Sequence, residues 1–536
     1  MVEATNASAK DGPALTASGL ELPVVAGPAD VRPGLAERLG VPGQFPFTRG
    51  VRPGMYRERP WTIRQLAGFG TGRDTNARYR LLLDQGATGV NGVFDYPSLR
   101  AFGSDEERAR SDVGRGGVAV DVRDDFDDLF AGIPLDRVSI SLVSSQPIGA
   151  VPHLAMFLRS AERRGYAWES LSGTSQNDFL METAITIAPA ALRPADSFRF
   201  ECDLAEFANR HVPRWNPVSV TGYNYREAGA DAVLEMALTL AHGQAVAREL
   251  RSRDLDPTSF LPRLTFFLDA HSDFFEEIAK FRACRRMWAH WVRDEFGVDD
   301  PVSQRFRFHV QTAGVTATAR YAHVNIARSA LQGLAAVLGG TQSLHVNGYD
   351  EALCVPTEHA ALTALRTQYV LLHESGVAGS ADPLAGSYLV ENLTDQIEEA
   401  GQRLIDEIDR LGGIVAVTDQ GWTHAELSRR AFEYQKAIET GERRVVGLNL
   451  DVGDDSEIEV FQLPLHAAEE QIERIAAVRA RRDEVRAADA LAEVADACRS
   501  GVNLMPAVLN AVDSDLTLGE LGGCFRDTLG NWHFPL

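Results

Sequence analysis

Between Gly54 and Phe69 the chain concentrates Arg57, Arg59 and Arg64 with Tyr56 and Trp61. A guanidinium is a rigid planar fork of donors that matches phosphate oxygens, so this cluster reads as a grip for a phosphorylated ligand. The alternative reading is a solvated loop with incidental arginines. The cluster is informative because the chain is otherwise acidic, with 75 Asp and Glu against 53 Lys and Arg and a formal charge of -22. That balance argues against a nucleic-acid-binding surface, which needs a basic footprint.

At 536 residues the chain exceeds one compact core and calls for a large domain with smaller pieces. Hydrophobic content of 45% and charged content of 24% are those of an ordinary globular protein. Cys202, Cys284, Cys354, Cys498 and Cys524 show neither zinc-ligand nor C-x-x-C spacing, and an odd number is a poor disulfide framework. They read as thiols in a reducing compartment. The N-terminus lacks the apolar core of a secretory leader and no apolar run is long enough to span a bilayer. A cytoplasmic protein without a membrane partner is expected.

Residues 1–45 are rich in Ala, Gly and Pro without periodicity and read as an extended N-terminal arm, disordered or wrapped around a partner. From 46 to 450, strand-like runs alternate with amphipathic helical ones, the pattern of a parallel α/β fold whose extent suits a (β/α)8 TIM barrel. The expected strands are Thr88–Asp95, Arg137–Ser144, Pro217–Tyr223, Arg263–Ala270, Arg305–Thr312 and Gln342–Asn347. Expected helices include Asp231–Leu250, Phe274–Glu295 and Val324–Leu338. Charged helices are expected at Tyr388–Leu411 and His466–Ala497. An acidic linker, Asp451–Gly453 and Asp454–Glu457, precedes a C-terminal helical appendage over 451–536.

The strands have an unusual composition. One alternate set is small or polar: Ser139 and Ser141; Ser219 and Thr221; Arg307, His309 and Gln311; Ser343, His345 and Asn347. Side chains alternate faces along a strand, and helices cover a barrel's outside, so the polar set should line the lumen. A filled barrel interior is instead rich in branched apolar side chains. The sequence therefore describes a hydrophilic bore able to admit a thin polar ligand.

Several separated strings resemble the adenosylcobalamin-dependent acyl-CoA mutases of the methylmalonyl-CoA mutase family. They include Phe45-Pro-Phe-Thr-Arg-Gly50, Arg59-Pro-Trp-Thr-Ile-Arg-Gln65, Leu171-Ser-Gly-Thr-Ser-Gln-Asn-Asp178 and Gly222-Tyr-Asn-Tyr-Arg-Glu-Ala-Gly229. Gln311-Thr-Ala-Gly314, Leu338-Gly-Gly-Thr-Gln-Ser-Leu-His345 and Asp382-Pro-Leu-Ala-Gly-Ser387 extend the match over most of the chain. The resemblance implies that Arg59, Thr62, Arg64, Thr174, Arg263, Thr265 and Ser343 hold the phosphates and pantetheine of CoA. It places Gln176, Tyr223 and Asn224 at the reacting thioester. Phe94, Gly116, Glu227, Gln311, Gly314, Asn347, Glu351 and Ala352 would face the corrin or its adenosyl group. The implied reaction is a radical rearrangement in which the carbonyl-CoA group migrates to the adjacent carbon.

The sequence also departs from the pattern. The family's D-x-H-x-x-G motif, whose histidine ligates cobalt, is not found, since Asp269-Ala-His271 continues as Ser-Asp-Phe. The cobalt ligand is therefore expected from a separate small cobalamin-binding subunit, with an α2β2 assembly implied, and no metal site is expected in this chain. Leu66 and Thr186 stand where methylmalonyl-CoA mutases place a tyrosine and the arginine that meets the substrate carboxylate. Val93 stands where 2-hydroxyisobutyryl-CoA mutases use an aspartate. With Leu66, Val93 and Thr186 the pocket reads as apolar and suits a branched, uncharged acyl group. Asn224 replaces a family histidine near the thioester carbonyl; an amide can donate a hydrogen bond but carries no proton charge. A 2-hydroxyacyl-CoA mutase is the alternative within the class. A non-catalytic CoA-binding relative and a scaffold for a cobalamin subunit are the alternatives outside it.

Overall fold

The computed structural model describes residues 14–186, 190–453 and 458–535. A short hairpin, β1 (Ala14–Leu15) and β2 (Glu21–Leu22), opens the described chain. The main sheet then comprises β3 (Thr62–Ala67), β4 (Gly89–Val93), β5 (Ser139–Ser145), β6 (Gly173–Asn177), β7 (Trp215–Asn216), β8 (Val218–Thr221), β9 (Leu264–Ala270), β10 (Phe308–Thr312) and β11 (Ser343–His345). Every pairing in it is parallel, in the order β7-β6-β5-β4-β3-β11-β10-β9-β8. Pro217, which has no backbone donor, separates β7 from β8. The first half pairs with β6 and the second with β9, so one interrupted strand closes the ring. The expected TIM barrel is thus present, with helices on its outer surface.

The expected strands and helices occur with small shifts at their ends. Besides the two-residue strands β1, β2 and β7, the barrel strands β3 and β6 lie outside the expected set. Their sequences, Thr-Ile-Arg-Gln-Leu-Ala and Gly-Thr-Ser-Gln-Asn, lack the β-branched apolar run that marks a buried parallel strand. The expected single helix His466–Ala497 is two, Ala467–Arg481 and Glu484–Ser500, because the Asp483 carboxylate caps the second by accepting from the Val485 and Arg486 N–H groups. Of the acidic linker, Asp454–Glu457 lies outside the described residues.

The outward side chains of the strands form the core against the helices. Ile140, Leu142, Val218, Val220, Leu268, Val310 and Leu344 are almost fully buried in one continuous cluster. Val508, Leu518, Leu521 and Phe525 of the last helices belong to the same cluster, and Phe525 meets Phe200 edge-on at 5.0 Å. The helix Ala467–Arg481 is tied to the barrel through Arg474, which donates to Asp125 at 2.7 Å.

The described part of the N-terminal stretch lies on the chain's own helices. Ala17 N donates to Asp273 Oδ2 at 2.9 Å, and Arg38 pairs with Asp395 at 3.1 Å. Buried Arg285 reaches from the helix Phe274–Asp294 to donate to the Phe47 and Thr48 carbonyls at 2.9 and 2.8 Å. Hydrogen bonds from a charged donor are worth about 1.5–3 kcal/mol each. Arg285→Met should lower the stability read by urea unfolding by about 3 kcal/mol and speed limited proteolysis near residue 47. Unchanged stability and protease resistance would remove this anchor from the account.

Candidate active site along the barrel bore

The strand registers stack the inward side chains in layers. Arg64, Gly89 and Ser139 stand abreast on β3, β4 and β5. One step along follow Leu66, Asn91, Ser141, Thr174 and Asn216. Another step brings Val93, Val143 and Gln176 level. Thr186 joins this end through Gln146, whose Nε2 donates to its hydroxyl at 3.4 Å. The bore thus changes from cationic, through small and polar, to apolar with one amide. Glycine at 89 is required for the first layer, since a Cβ there would lie 2.9 Å from the Ser139 carbonyl oxygen and 3.3 Å from the Arg64 Cζ.

A cavity of about 380 Å³ occupies the amino-terminal half of the bore. Among the residues expected to hold CoA, Arg59, Thr62, Arg64, Thr174, Thr265 and Ser343 line it, and it reaches Gln176. Arg52, Arg214 and Arg307 line it too, although none was singled out as a ligand-binding residue. Arg307 had been read only as a polar bore position. Arg263 lies elsewhere: its guanidinium donates to the carbonyls of Ser259, Ala208, Val212 and Asn209, capping the end of the helix Pro194–His211. Its fork of donors is already engaged.

Among the described residues, no carboxylate pairs with the buried cavity cations Arg64 and Arg307. Arg64 donates to Val90 O at 3.2 Å and Ser139 Oγ at 2.6 Å, with no carboxylate beside it, and burial lowers its pKa to about 10. Arg307 donates to Asn216 Oδ1 at 2.9 Å; burial first, then Arg52, Arg305 and Arg59, lowers its pKa to about 10. Burial and Arg59 similarly lower that of Arg52. A polyanion entering here would relieve both the desolvation and the mutual repulsion. His309 donates to or accepts from Ser343 Oγ at 2.9 Å and is held neutral by burial beside Arg64.

At the carboxyl-terminal mouth the expected cofactor-facing residues converge. Gln311 Nε2 donates to Tyr223 OH and to Asn347 Oδ1, both at 2.9 Å. Glu227 accepts from Val315 N at 2.8 Å. A Cβ on Gly314 would lie 3.0 Å from Glu227, 3.2 Å from the Tyr223 hydroxyl and 3.4 Å from Glu351, so these groups surround a cradle that only glycine leaves open. Burial, then Glu227 and Asp350, raises the Glu351 pKa to about 8, and burial raises that of Glu227. At neutral pH the mouth therefore holds a protonated carboxyl able to donate. Tyr223 stacks on Phe267 at 4.8 Å. The Asn224 carboxamide makes no hydrogen bond among the described residues. Gly116 and Ala352 are at the exposed rim, Gly116 beneath the Tyr96 ring. Phe94 is fully buried, with its ring stacked on His153 at 4.1 Å, and faces the core and not the mouth.

A larger cavity of about 640 Å³ lies outside the bore, beside Val315 and between Arg328 and Gly447. It contains none of the layered residues. Among the described residues no cluster of His, Cys, Asp and Glu could hold a metal ion, and no helix is long and apolar enough to cross a membrane.

Comparison with known proteins agrees with this architecture. The family profile described as methylmalonyl-CoA mutase matches residues 15–531. The 2-hydroxyisobutanoyl-CoA mutase large subunit of Aquincola tertiaricarbonis is 41% identical over 93% of this chain and 90% of its own length. The methylmalonyl-CoA mutase of Rhizobium meliloti (strain 1021) is 39% identical over 94% of this chain and 71% of its own. The mitochondrial methylmalonyl-CoA mutase of Homo sapiens is 38% identical over 91% of this chain and 65% of its own. Barrel and matches together define an isomerase of the acyl-CoA mutase class. The chain belongs to the methylmalonyl-CoA mutase family.

The cavity arginines give a direct test with ADP as a phosphate-bearing probe in isothermal titration at low salt. Arg52→Ala and Arg307→Ala should each weaken binding by about 1.5–3 kcal/mol, whereas Arg263→Ala should leave it unchanged. An equal loss on Arg263→Ala would place the anion outside this cavity.

Proposed function

We propose that the chain is the large, substrate-binding subunit of a coenzyme B12-dependent mutase acting on a branched acyl-CoA without a free carboxylate, of the isobutyryl, isovaleryl or pivalyl type. The observation that carries this reading is the gradient along the bore. Phosphates fit the uncompensated arginines, the pantetheine arm fits the layer of Asn91, Ser141 and Thr174, and the thioester then comes level with Gln176. The acyl group would meet Leu66, Val93 and Val143. A carboxylate there would be buried without a cationic partner, which costs several kcal/mol.

The cradle at Gly314 suits the adenosyl side of adenosylcobalamin. Glu351, with a proton to donate, and Glu227 would hold ribose hydroxyls, while Gln311 and Asn347 keep Tyr223 in place. When bound, this cofactor supplies a carbon-centred radical that removes a hydrogen atom from the substrate. The chain's own task is to hold the thioester, exclude water and keep other hydrogen donors away. Gln176, whose Oε1 has no partner among the described residues, and Asn224 offer the amides that can orient the thioester. A separate small subunit carrying D-x-H-x-x-G would bring the cobalt ligand, in an α2β2 assembly; the large-subunit name of the Aquincola relative supports the existence of a second, smaller subunit.

The same relative favours a second reading, 2-hydroxyisobutyryl-CoA mutation. Against it, the layer beside Gln176 is formed by Val93 and Val143, which cannot pair with a substrate hydroxyl. The test reconstitutes the protein with adenosylcobalamin and a small cobalamin-binding subunit. Methylmalonyl-, isobutyryl-, 2-hydroxyisobutyryl-, isovaleryl- and pivalyl-CoA are then followed by mass-resolved chromatography. Conversion of an uncharged branched thioester without methylmalonyl-CoA turnover is expected. Methylmalonyl-CoA turnover would refute the pocket argument, and thioester binding without any turnover would favour a non-catalytic relative.

A further inference from the structure

Behind the bore lies a buried charge cluster that no site role explains. His242, on the helix Ala232–Ser252, is fully buried between Glu201, Asp178 and Tyr225. Its Nε2 faces both Glu201 oxygens at 2.9 and 3.0 Å. Its Nδ1 lies 3.2 Å from the Tyr225 hydroxyl and 3.6 Å from Asp178 Oδ1. The Tyr225 hydroxyl gives its own proton to Asp178 Oδ2 at 2.6 Å. Each ring nitrogen therefore faces an acceptor, and only a doubly protonated imidazole donates from both. The Phe179 and Phe198 rings cover the remaining sides.

The two carboxylates hold the segments that carry the site. Asp178, two residues beyond Gln176, accepts from Thr221 N and Oγ1 at 2.8 and 2.7 Å and from Leu180 N at 2.9 Å. Thr221 ends β8 and leads directly into the helix Gly222–Glu227, which carries Tyr223, Asn224 and Glu227. Glu201 accepts from Phe179 N at 3.1 Å, at the start of the turn that leads to Thr186. The segments of Gln176 and Thr186 follow β6 and that of Tyr223–Asn224 follows β8, so two βα units are fixed on this one cluster.

We propose that His242, as an imidazolium joining Asp178 to Glu201, is a positioning residue that sets Gln176, Thr186 and Asn224 in register for the acyl thioester. The inference rests on the mutase reading for its link to turnover. Burial alone would make the imidazole less basic, but Glu201 and then Asp178 offset it and hold its pKa at about 10. Asp178 stays below the ordinary carboxylate range despite its burial, through His242 and its other donors, whereas burial pushes Glu201 above that range. Because the folded pKa is raised, the clamp is intact below neutral pH and is lost as pH rises through about 10.

The test compares wild type with Glu201→Gln, which keeps an acceptor opposite Nε2 but removes its charge, and with His242→Gln. Titration of the large subunit with CoA and with isobutyryl-CoA reads the two ends of the bore separately. CoA affinity should stay within about twofold, and thioester affinity should fall about tenfold in both variants, because a small misplacement at a reacting group is costly. In the reconstituted enzyme the alkaline limb of kcat should move toward neutral pH in Glu201→Gln. Wild-type thioester affinity and an unshifted alkaline limb in Glu201→Gln would overturn the proposal. If His242→Gln does not fold, Glu201→Gln decides alone. If the wild type converts none of the thioesters, the mutase reading fails and the binding comparison still judges the clamp.

Discussion

The structure depends on keeping positive charge in the middle of an acidic chain without neutralising it. Arg64 and Arg307 are drawn into the barrel with only neutral oxygens for company. Elsewhere the fold treats buried cations differently. Lys280 sits between Glu235 at 2.6 Å and Glu277 at 2.5 Å, and Arg286 meets Asp395 at 2.7 Å. A buried charge is costly unless paired, so the bore cations require open space beside them, which the small inward side chains leave. That requirement explains the glycines and serines of the inner face. It also explains why the apolar core lies wholly outside the ring, between strands and helices.

The paired charges outside the bore have a different role. Lys280 also donates to the Asp269 carbonyl at 2.9 Å, and Glu235 accepts from the Asp269 N–H at 2.8 Å, so the end of β9 is fixed from behind. Arg226 joins the same group through Glu277 at 3.2 Å and holds the Ala230 carbonyl at 2.9 Å. Replacing such groups with apolar ones is often neutral for stability, so their value here is geometric. They fix the short helix that carries Tyr223 and Glu227 without placing their own charge in the lumen.

Much of this was legible in the sequence. The alternation of strand-like and helical runs gave the barrel, and period-two alternation in Ser139–Ser145, Val218–Thr221 and Phe308–Thr312 gave the polarity of its inner face. β3 and β6 escaped because their inward residues, Leu66 apart, are small, polar or charged and neither carries a continuous apolar run. The arginines show the limit of residue type as a guide. Arg263 and Arg307 present the same fork, and only the fold decides that one caps a helix and the other enters the cavity. Phe94 shows the same limit for orientation, since its place at the end of β4 is readable but the turn of its ring toward His153 is not. The cluster around His242 was invisible because its members are scattered along the chain and meet only after folding.

The interrupted strand has a mechanical consequence. β6 and β7 are joined only through Gly173↔Trp215 and Thr174↔Asn216, and β11 and β3 only through Ser343↔Thr62 and Leu344↔Ile63. These two short seams divide the hoop into two four-stranded plates, β3 to β6 and β8 to β11. Arg64, Leu66, Val93 and Gln176 belong to one plate, and Arg307, His309, Gln311 and Ser343 to the other. The width of the lumen is therefore set by the gap between two stiff plates, and outward pressure from within bears first on four residue pairs.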